Sequence, residues 1–155
     1  MIKRVLLLWF CLFSFLDADT NRTIALDSLF KTDLTIKNKT FKVWLAIDPK
    51  QKKEGLSFLT VDEVPIDHGM LFLYVYEEKL LFWMKDTFFD LDIAYIQSDG
   101  TVVDIYSMTK MSSKTFVSSR KVRYVLELRR GEFKRVGLKI GDKVVIPKKI
   151  IDLTL

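Results

Sequence analysis

The chain of 155 residues carries one cysteine, one histidine, three prolines and six glycines. Each shortage removes a class of chemistry. Cys11 lies inside an apolar N-terminal run, so the remainder has no thiol for a disulfide, a thiolate metal site or a cysteine nucleophile. His68 cannot build a metal centre alone, and Asp67 beside it adds a single carboxylate; neither a metal nor a cofactor is expected. The scattered glycines leave no phosphate-cradling loop, dinucleotide fingerprint or nucleophile elbow. The 25 basic and 20 acidic residues give a net charge of +5 spread over most of the chain. Without a basic stripe on a recognisable module, nucleic acid is not an expected partner. The apolar run Val5 to Leu16 is shorter than the roughly 20 residues a membrane-spanning helix needs.

What is abundant is core material, at 49% hydrophobic and 13% aromatic residues, enough for one packed domain. Lys3 and Arg4 followed by Val5–Leu16 have the charged start and short apolar stretch of an export signal. Ala18 suits its cleavage site, whereas Leu16 is bulkier than the usual residue two places earlier, so removal and retention as an anchor both stay open. We therefore expect three parts: a signal peptide or membrane anchor at 1–18, a lead-in with the first strand at 19–40, and a single β domain at 41–155. An exported, periplasmic or envelope-associated protein follows, touching membrane only through residues 1–18.

Strand signals dominate the domain. "DLTIKNKTFKVWLAI" is two alternating runs about Asn38-Lys39, with Phe41, Val43, Leu45 and Ile47 on one face. Further strands are expected at Met70–Tyr76, Leu80–Met84, Leu91–Gln97, Thr101–Met108, Val122–Leu128 and Lys143–Pro147. Two short helices are expected. One runs from Asp48-Pro49 to Gly55, with an N-cap, a proline at the first position and a glycine stop; the other is the turn "GEFKRVG". Residues 109–121 form a serine- and lysine-rich loop, expected to be exposed and mobile from Lys110 to Arg123. The fold class is mainly β, a compact sandwich or partly closed barrel with two short helices.

Several blocks recur in a fixed order: "GLSF" at 55–58, "GMLFLY" at 69–74, "FWMKDT" at 82–87, "LDIAYI" at 91–96, "YVLEL" at 124–128 and "GLKIGDKV" at 137–144. In this order and spacing the chain resembles the family known as domain of unknown function 192, small and often exported bacterial and archaeal domains of compact β architecture. Ser57, Asp86 and Asp90 depart from the methionine, asparagine and proline common there. The resemblance implies a fold and brings no reaction, substrate or cofactor.

The polar residues among these aromatics are the candidates for function: Trp83, Lys85, Thr87, Asp92 and Glu127. On a strand, Leu80, Phe82 and Met84 share an apolar face, and Leu81, Trp83 and Lys85 share the other. Lys85 is expected at the rim, within ion-pair reach of Asp92 or Glu127. Glu127 alternates with Tyr124, Leu126 and Leu128 and can point toward whatever Trp83 and Lys85 line. Asp90 and Asp92 sit two apart, the arrangement of paired carboxylates. Met70, Met84, Met108 and Met111 read as gap-filling core residues rather than a soft-metal cluster. Three functional classes stay open: a non-enzymatic binding module for a small molecule, glycan or envelope component; an envelope enzyme using Asp90, Asp92 or Glu127 as acid or base; and a structural domain docking an envelope protein.

Overall fold

A computed structural model describes residues 21–154. The expectations for residues 1–18, including Cys11, lie outside the described residues.

Among the described residues eight strands form a mainly β fold: β1 (Lys31–Ile36), β2 (Lys39–Ala46), β3 (His68–Glu78), β4 (Leu81–Phe82), β5 (Leu91–Ile96), β6 (Val102–Met108), β7 (Phe116–Val117) and β8 (Val122–Arg129). Six make one mixed sheet in the order β1-β2-β3-β8-β5-β6, and β4 pairs with β7 in a small second sheet. The large sheet does not close into a barrel, so of the two expected forms the sandwich is the one adopted. Only β2 and β3 run parallel. The crossover between them carries helix α1 (Pro49–Glu54) and a 3-10 turn at Val61–Glu63. Helices α2 (Glu132–Val136) and α3 (Lys148–Ile151) follow β8.

Both faces of the large sheet are covered, which explains why its central strands are apolar on both sides. Phe41, Val43 and Leu45 of β2, Leu71 and Leu73 of β3, and Tyr124, Leu126 and Leu128 of β8 pack on one face. The segment after β8 covers them with Phe133, Leu138, Val144, Ile146 and Ile150. Trp44, Met70, Phe72, Ile93, Tyr95 and Val125 line the other face. There the crossover residues Leu56, Leu59 and Val64, with Leu80, Met84, Phe89 and Phe116, form the lid. Each such side chain contributes roughly 1.5–3 kcal/mol when fully buried, and this double layer holds a domain that has no cross-link among its described residues.

Helix α1 follows its sequence signals. The Asp48 carboxylate accepts the Gln51 N–H at 2.9 Å, and the Gln51 side chain accepts from the backbone of Ile47 and Asp48. Pro49 opens the helix, and Gly55, at φ 53°, ends it by donating to the Gln51 carbonyl.

Three expectations need correction. Lys143–Pro147 is not a strand: apart from a bridge between Thr101 and Lys143 it pairs with nothing. Val144 and Ile146 are buried by packing on the sheet, and the chain turns at Pro147 into α3, a third helix that was not foreseen. Of "LLFWM" only Leu81 and Phe82 pair as strand, although the alternation persists beyond, with Leu80 and Met84 buried and Leu81, Trp83 and Lys85 exposed. The basic interval is largely exposed but pinned at its middle. There β7 pairs with β4, Phe116 and Ser118 are buried, and the Ser118 hydroxyl accepts from the Leu80 N–H.

Candidate functional site

The site is built on β8. Tyr124, Leu126 and Leu128 face one core, so by the two-residue period Val125 and Glu127 face the other. Glu127 stands at the centre of the sheet, paired with Met70 of β3 and Ile93 of β5. Its side chain is among apolar groups and only 4% of the residue is exposed. Among the described residues nothing hydrogen-bonds or ion-pairs with its carboxyl. Burial without compensation penalises the charged form and pushes the carboxyl up to about 8. Glu127 is therefore protonated at neutral pH, with an O–H to donate.

Gly69 makes this placement possible. A Cβ there would meet the Glu127 carbonyl oxygen at 2.3 Å and Leu128 Cδ2 at 2.4 Å, so only glycine lets β3 come this close to β8. Above Glu127 opens a cleft of about 170 Å³ lined by Phe72, Tyr74, Phe82, Trp83 and Thr87 on one side and by residues 52–57 on the other. Phe82 meets Phe72 edge-on at 4.8 Å and Tyr95 at 6.0 Å, which fixes the wall. Trp83 is 54% exposed at the mouth. A second hollow of about 360 Å³ adjoins and shares Lys53, Glu54, Ser57 and Trp83 with the first.

Two loops frame the mouth and hold each other. The Phe58 N–H donates to the Asp86 carbonyl at 2.7 Å, and the Ser57 hydroxyl to the Lys85 carbonyl at 3.2 Å. Both Phe58 (φ 62°) and Asp86 (φ 56°) adopt left-handed backbone, uncommon for any residue but glycine and more so for phenylalanine. Backbone strain of this kind concentrates at ligand sites and switches.

Charge at the mouth is mostly positive. Lys52 Nζ lies 4.2 Å from the Tyr74 ring centroid, and Lys85 Nζ lies 5.8 Å from that of Trp83. Burial lowers the Lys52 pKa, opposed by Glu78 and Asp48. Burial likewise dominates at Tyr74, whose hydroxyl is pushed up to about 12 with help from Glu78 and Glu127. Lys50 and Lys53 line the outer hollow. Glu54 faces both spaces, but its carboxylate accepts from the Thr23 N–H and hydroxyl and the Ile24 N–H and pairs with Arg22. Burial works upward on it, yet the Thr23 and Ile24 bonds with Arg22 outweigh that, and its pKa is lowered.

Of the sequence candidates, Trp83, Thr87 and Glu127 converge on the inner cleft, and Lys85 stands on the outer hollow. Asp92 does not join them. Its buried carboxylate accepts from the Ser107 hydroxyl at 2.6 Å and the Gly131 N–H at 2.7 Å, tying β5 to β6 and to the start of α2. The expected ion pair of Lys85 with Asp92 or Glu127 is not formed. Asp92 is spent on those donors, and past Phe82 the chain leaves strand geometry and turns away at Asp86. Asp90 pairs with Arg130 at 2.6 Å and accepts from the Lys110 N–H, so Asp90 and Asp92 are held by different partners. His68 Nδ1 lies 2.8 Å from Asp67, and among the described residues no group of three His, Cys, Asp or Glu could hold a metal ion. Met70, Met84 and Met108 are buried core residues, whereas Met111 is 56% exposed. Sequence reasoning missed Tyr74 and the Lys50–Phe58 side of the cleft. The signal within reach was the lysine-rich helix running straight into "GLSF".

Comparison with known proteins places this geometry in a family. The profile of DUF192, "Uncharacterized ACR", matches residues 32–146, and the chain belongs to that family. A solved structure described as a "putative transcription regulator" from Sinorhizobium meliloti is 36% identical, with a TM-score of 0.69, over 76% of this chain and 95% of its own. A protein of unknown function from Novosphingobium aromaticivorans is 27% identical, with a TM-score of 0.67, over 76% of this chain and 85% of its own. No curated protein gives a significant match.

Proposed function

We propose that this DUF192 domain is a binding module whose cleft above Glu127 takes a small polar molecule. The observation that carries the reading is Glu127 itself, buried and without a partner among the described residues at the floor of an aromatic-walled cleft. Its carboxyl oxygens open onto the cleft rather than being sealed in the core, so a ligand can reach them. A ligand oxygen or nitrogen that accepts from its O–H gains a directed hydrogen bond and with it specificity. The aromatic walls with one placed polar group have the composition of small-molecule sites, and the left-handed residues at the mouth agree with one.

A carboxyl held protonated near neutral pH is also the state of a general acid, which favours the enzyme as a second reading. Such chemistry needs a complementary base, and the other carboxylate lining the inner cleft, Glu54, is occupied by Thr23, Ile24 and Arg22. Binding without turnover is therefore the first reading. The Sinorhizobium protein is described only as a "putative transcription regulator", and the described helices here, of six, five and four residues, are shorter than a recognition helix.

We place the domain in the cell envelope, exported by residues 1–18, with an envelope component as its ligand or neighbour. Fractionation should find the chain outside the cytosol; a full-length chain soluble in the cytosol contradicts this. The binding reading is tested by thermal unfolding of the full chain against a library of small polar metabolites. A ligand of the folded state must raise the melting temperature. The expected result is a compound that shifts wild type and not Glu127→Ala, unchanged on recovery. A library without effect, or a shift equal in both proteins, overturns the assignment of this cleft. Conversion of the compound by wild type alone would establish the enzyme.

A further inference from the structure

We infer that the ligand is a sugar ring bearing an acidic group, with the ring against Trp83, a ring hydroxyl or ether oxygen on Glu127, and the acid toward the lysines at the mouth. This rests on the binding reading above and names its ligand class.

Three features point the same way. The indole of Trp83, more than half exposed beside the cleft, offers a flat face of the kind on which the C–H face of a pyranose stacks. Below it, Glu127 supplies a neutral donor and acceptor in one group, which suits a hydroxylated ring better than a hydrocarbon or an anion. An acid placed directly on the floor would meet a group that becomes anionic when it ionises, so the ligand's charge belongs at the mouth.

The mouth is built for that charge. Lys50, Lys53 and Lys85 line the outer hollow, and among the described residues none of the three is in an ion pair. Of the two carboxylates there, Glu54 is held by the lead-in, so only Asp86 opposes the lysines. The hollow lined by Phe88, Phe89, Asp90, Lys110, Arg129 and Arg130 keeps one cation, Lys110, outside any ion pair among the described residues, while its two arginines are engaged. Its Arg130 is paired with Asp90 and bonded to Thr109, and its Arg129 donates to the Val64 carbonyl. Three unpaired lysines, against one in that hollow, thus stand where the ring would place its substituent. A carboxylate and a phosphate share the required chemistry, so a uronic acid and a sugar phosphate are the two sources to separate.

The test is calorimetric titration of the full chain with glucuronate, galacturonate and glucose 6-phosphate, beside glucose, galactose, acetate and inorganic phosphate. At least one acidic sugar should bind roughly tenfold or more tighter than its neutral parent, the scale of two partly exposed charge contacts. Lys53→Gln with Lys85→Gln should erase that advantage, so that an acidic sugar binds no tighter than its neutral parent, while Trp83→Ala weakens both kinds of sugar. Whether the uronates or the phosphate binds tighter identifies the source. Equal binding of neutral and acidic sugars overturns the role of the lysines. Equal binding of acetate or phosphate without a ring overturns the role of Trp83. If no sugar binds, the ligand class falls, and the binding reading is then decided separately by the thermal-shift library.

Discussion

Replacing Glu127 by glutamine keeps the shape of the side chain and removes its proton equilibrium, and the consequence is a changed dependence of stability on pH. In the unfolded chain this carboxyl ionises near 4.5, and in the folded protein at about 8. Between those values the folded state keeps a proton that the unfolded state has lost. Wild-type stability from this group is therefore fully present below the unfolded value and falls as pH rises toward the folded one. From 4.5 to about 8, at ~1.4 kcal/mol for each pH unit, the fall is on the order of 5 kcal/mol. That is a large part of the ~5–15 kcal/mol that holds a typical domain together. It corresponds to a melting temperature lower by roughly 10–20 °C for a domain of this size. Tyr74 and Tyr95, the hydroxyls nearest in charge coupling, are both held above the ordinary tyrosine range by burial first, so they do not titrate in this window. The assay is thermal and urea unfolding of wild type and Glu127→Gln from pH 4 to pH 9. Other groups cancel in the difference between the two proteins. Near pH 4 the two should agree within about 1 kcal/mol, and by pH 9 the glutamine variant should be the more stable by several. A difference independent of pH, or one favouring wild type at high pH, refutes the claim that Glu127 is buried without a compensating partner.

Other substitutions separate the site from its scaffold. Asp92→Ala should cost roughly 2–4 kcal/mol in urea unfolding, because a buried acceptor is lost and the Gly131 N–H is left unpaired, with no change in ligand affinity. Gly69→Ala should destabilise by roughly 1–3 kcal/mol or more, since the added carbon sits 2.3 Å from the Glu127 carbonyl oxygen, and should reduce any ligand-induced thermal shift. Lys85→Met should change stability by less than about 0.5 kcal/mol, because Lys85 forms no ion pair among the described residues, yet weaken the binding of an acidic ligand.

Much of the sheet was legible because its residues obey a period of two. Phe41, Val43 and Leu45 share a face as their alternation requires, and the same rule put Glu127 opposite Tyr124, Leu126 and Leu128. The helix at 49–54 was written in its capping residues. Failures came where tertiary packing replaced local pattern. Lys143–Pro147 alternates like a strand, but Val144 and Ile146 bury by lying on the sheet rather than by joining it. The arithmetic that put Lys85 near Asp92 assumed strand geometry as far as Lys85, and the pairing ends at Phe82. Asp92 was given Lys85 as a partner because its actual partners, Ser107 and Gly131, come from strands and turns distant in sequence. The lysine-rich helix running into "GLSF" was a signal within reach, but which side of the sheet a crossover covers is decided by the whole fold.

The central claim is that a protonated Glu127 forms the floor of a cleft open to a ligand. The most direct measurement is the carboxyl carbon resonance of Glu127, followed by NMR through a pH titration with and without the tightest-binding compound of the thermal-shift library. The account predicts a midpoint near 8 in the free protein, far from the ordinary glutamates, and a displaced midpoint when the compound is bound. A midpoint near 4.5 that the compound leaves unmoved would contradict it.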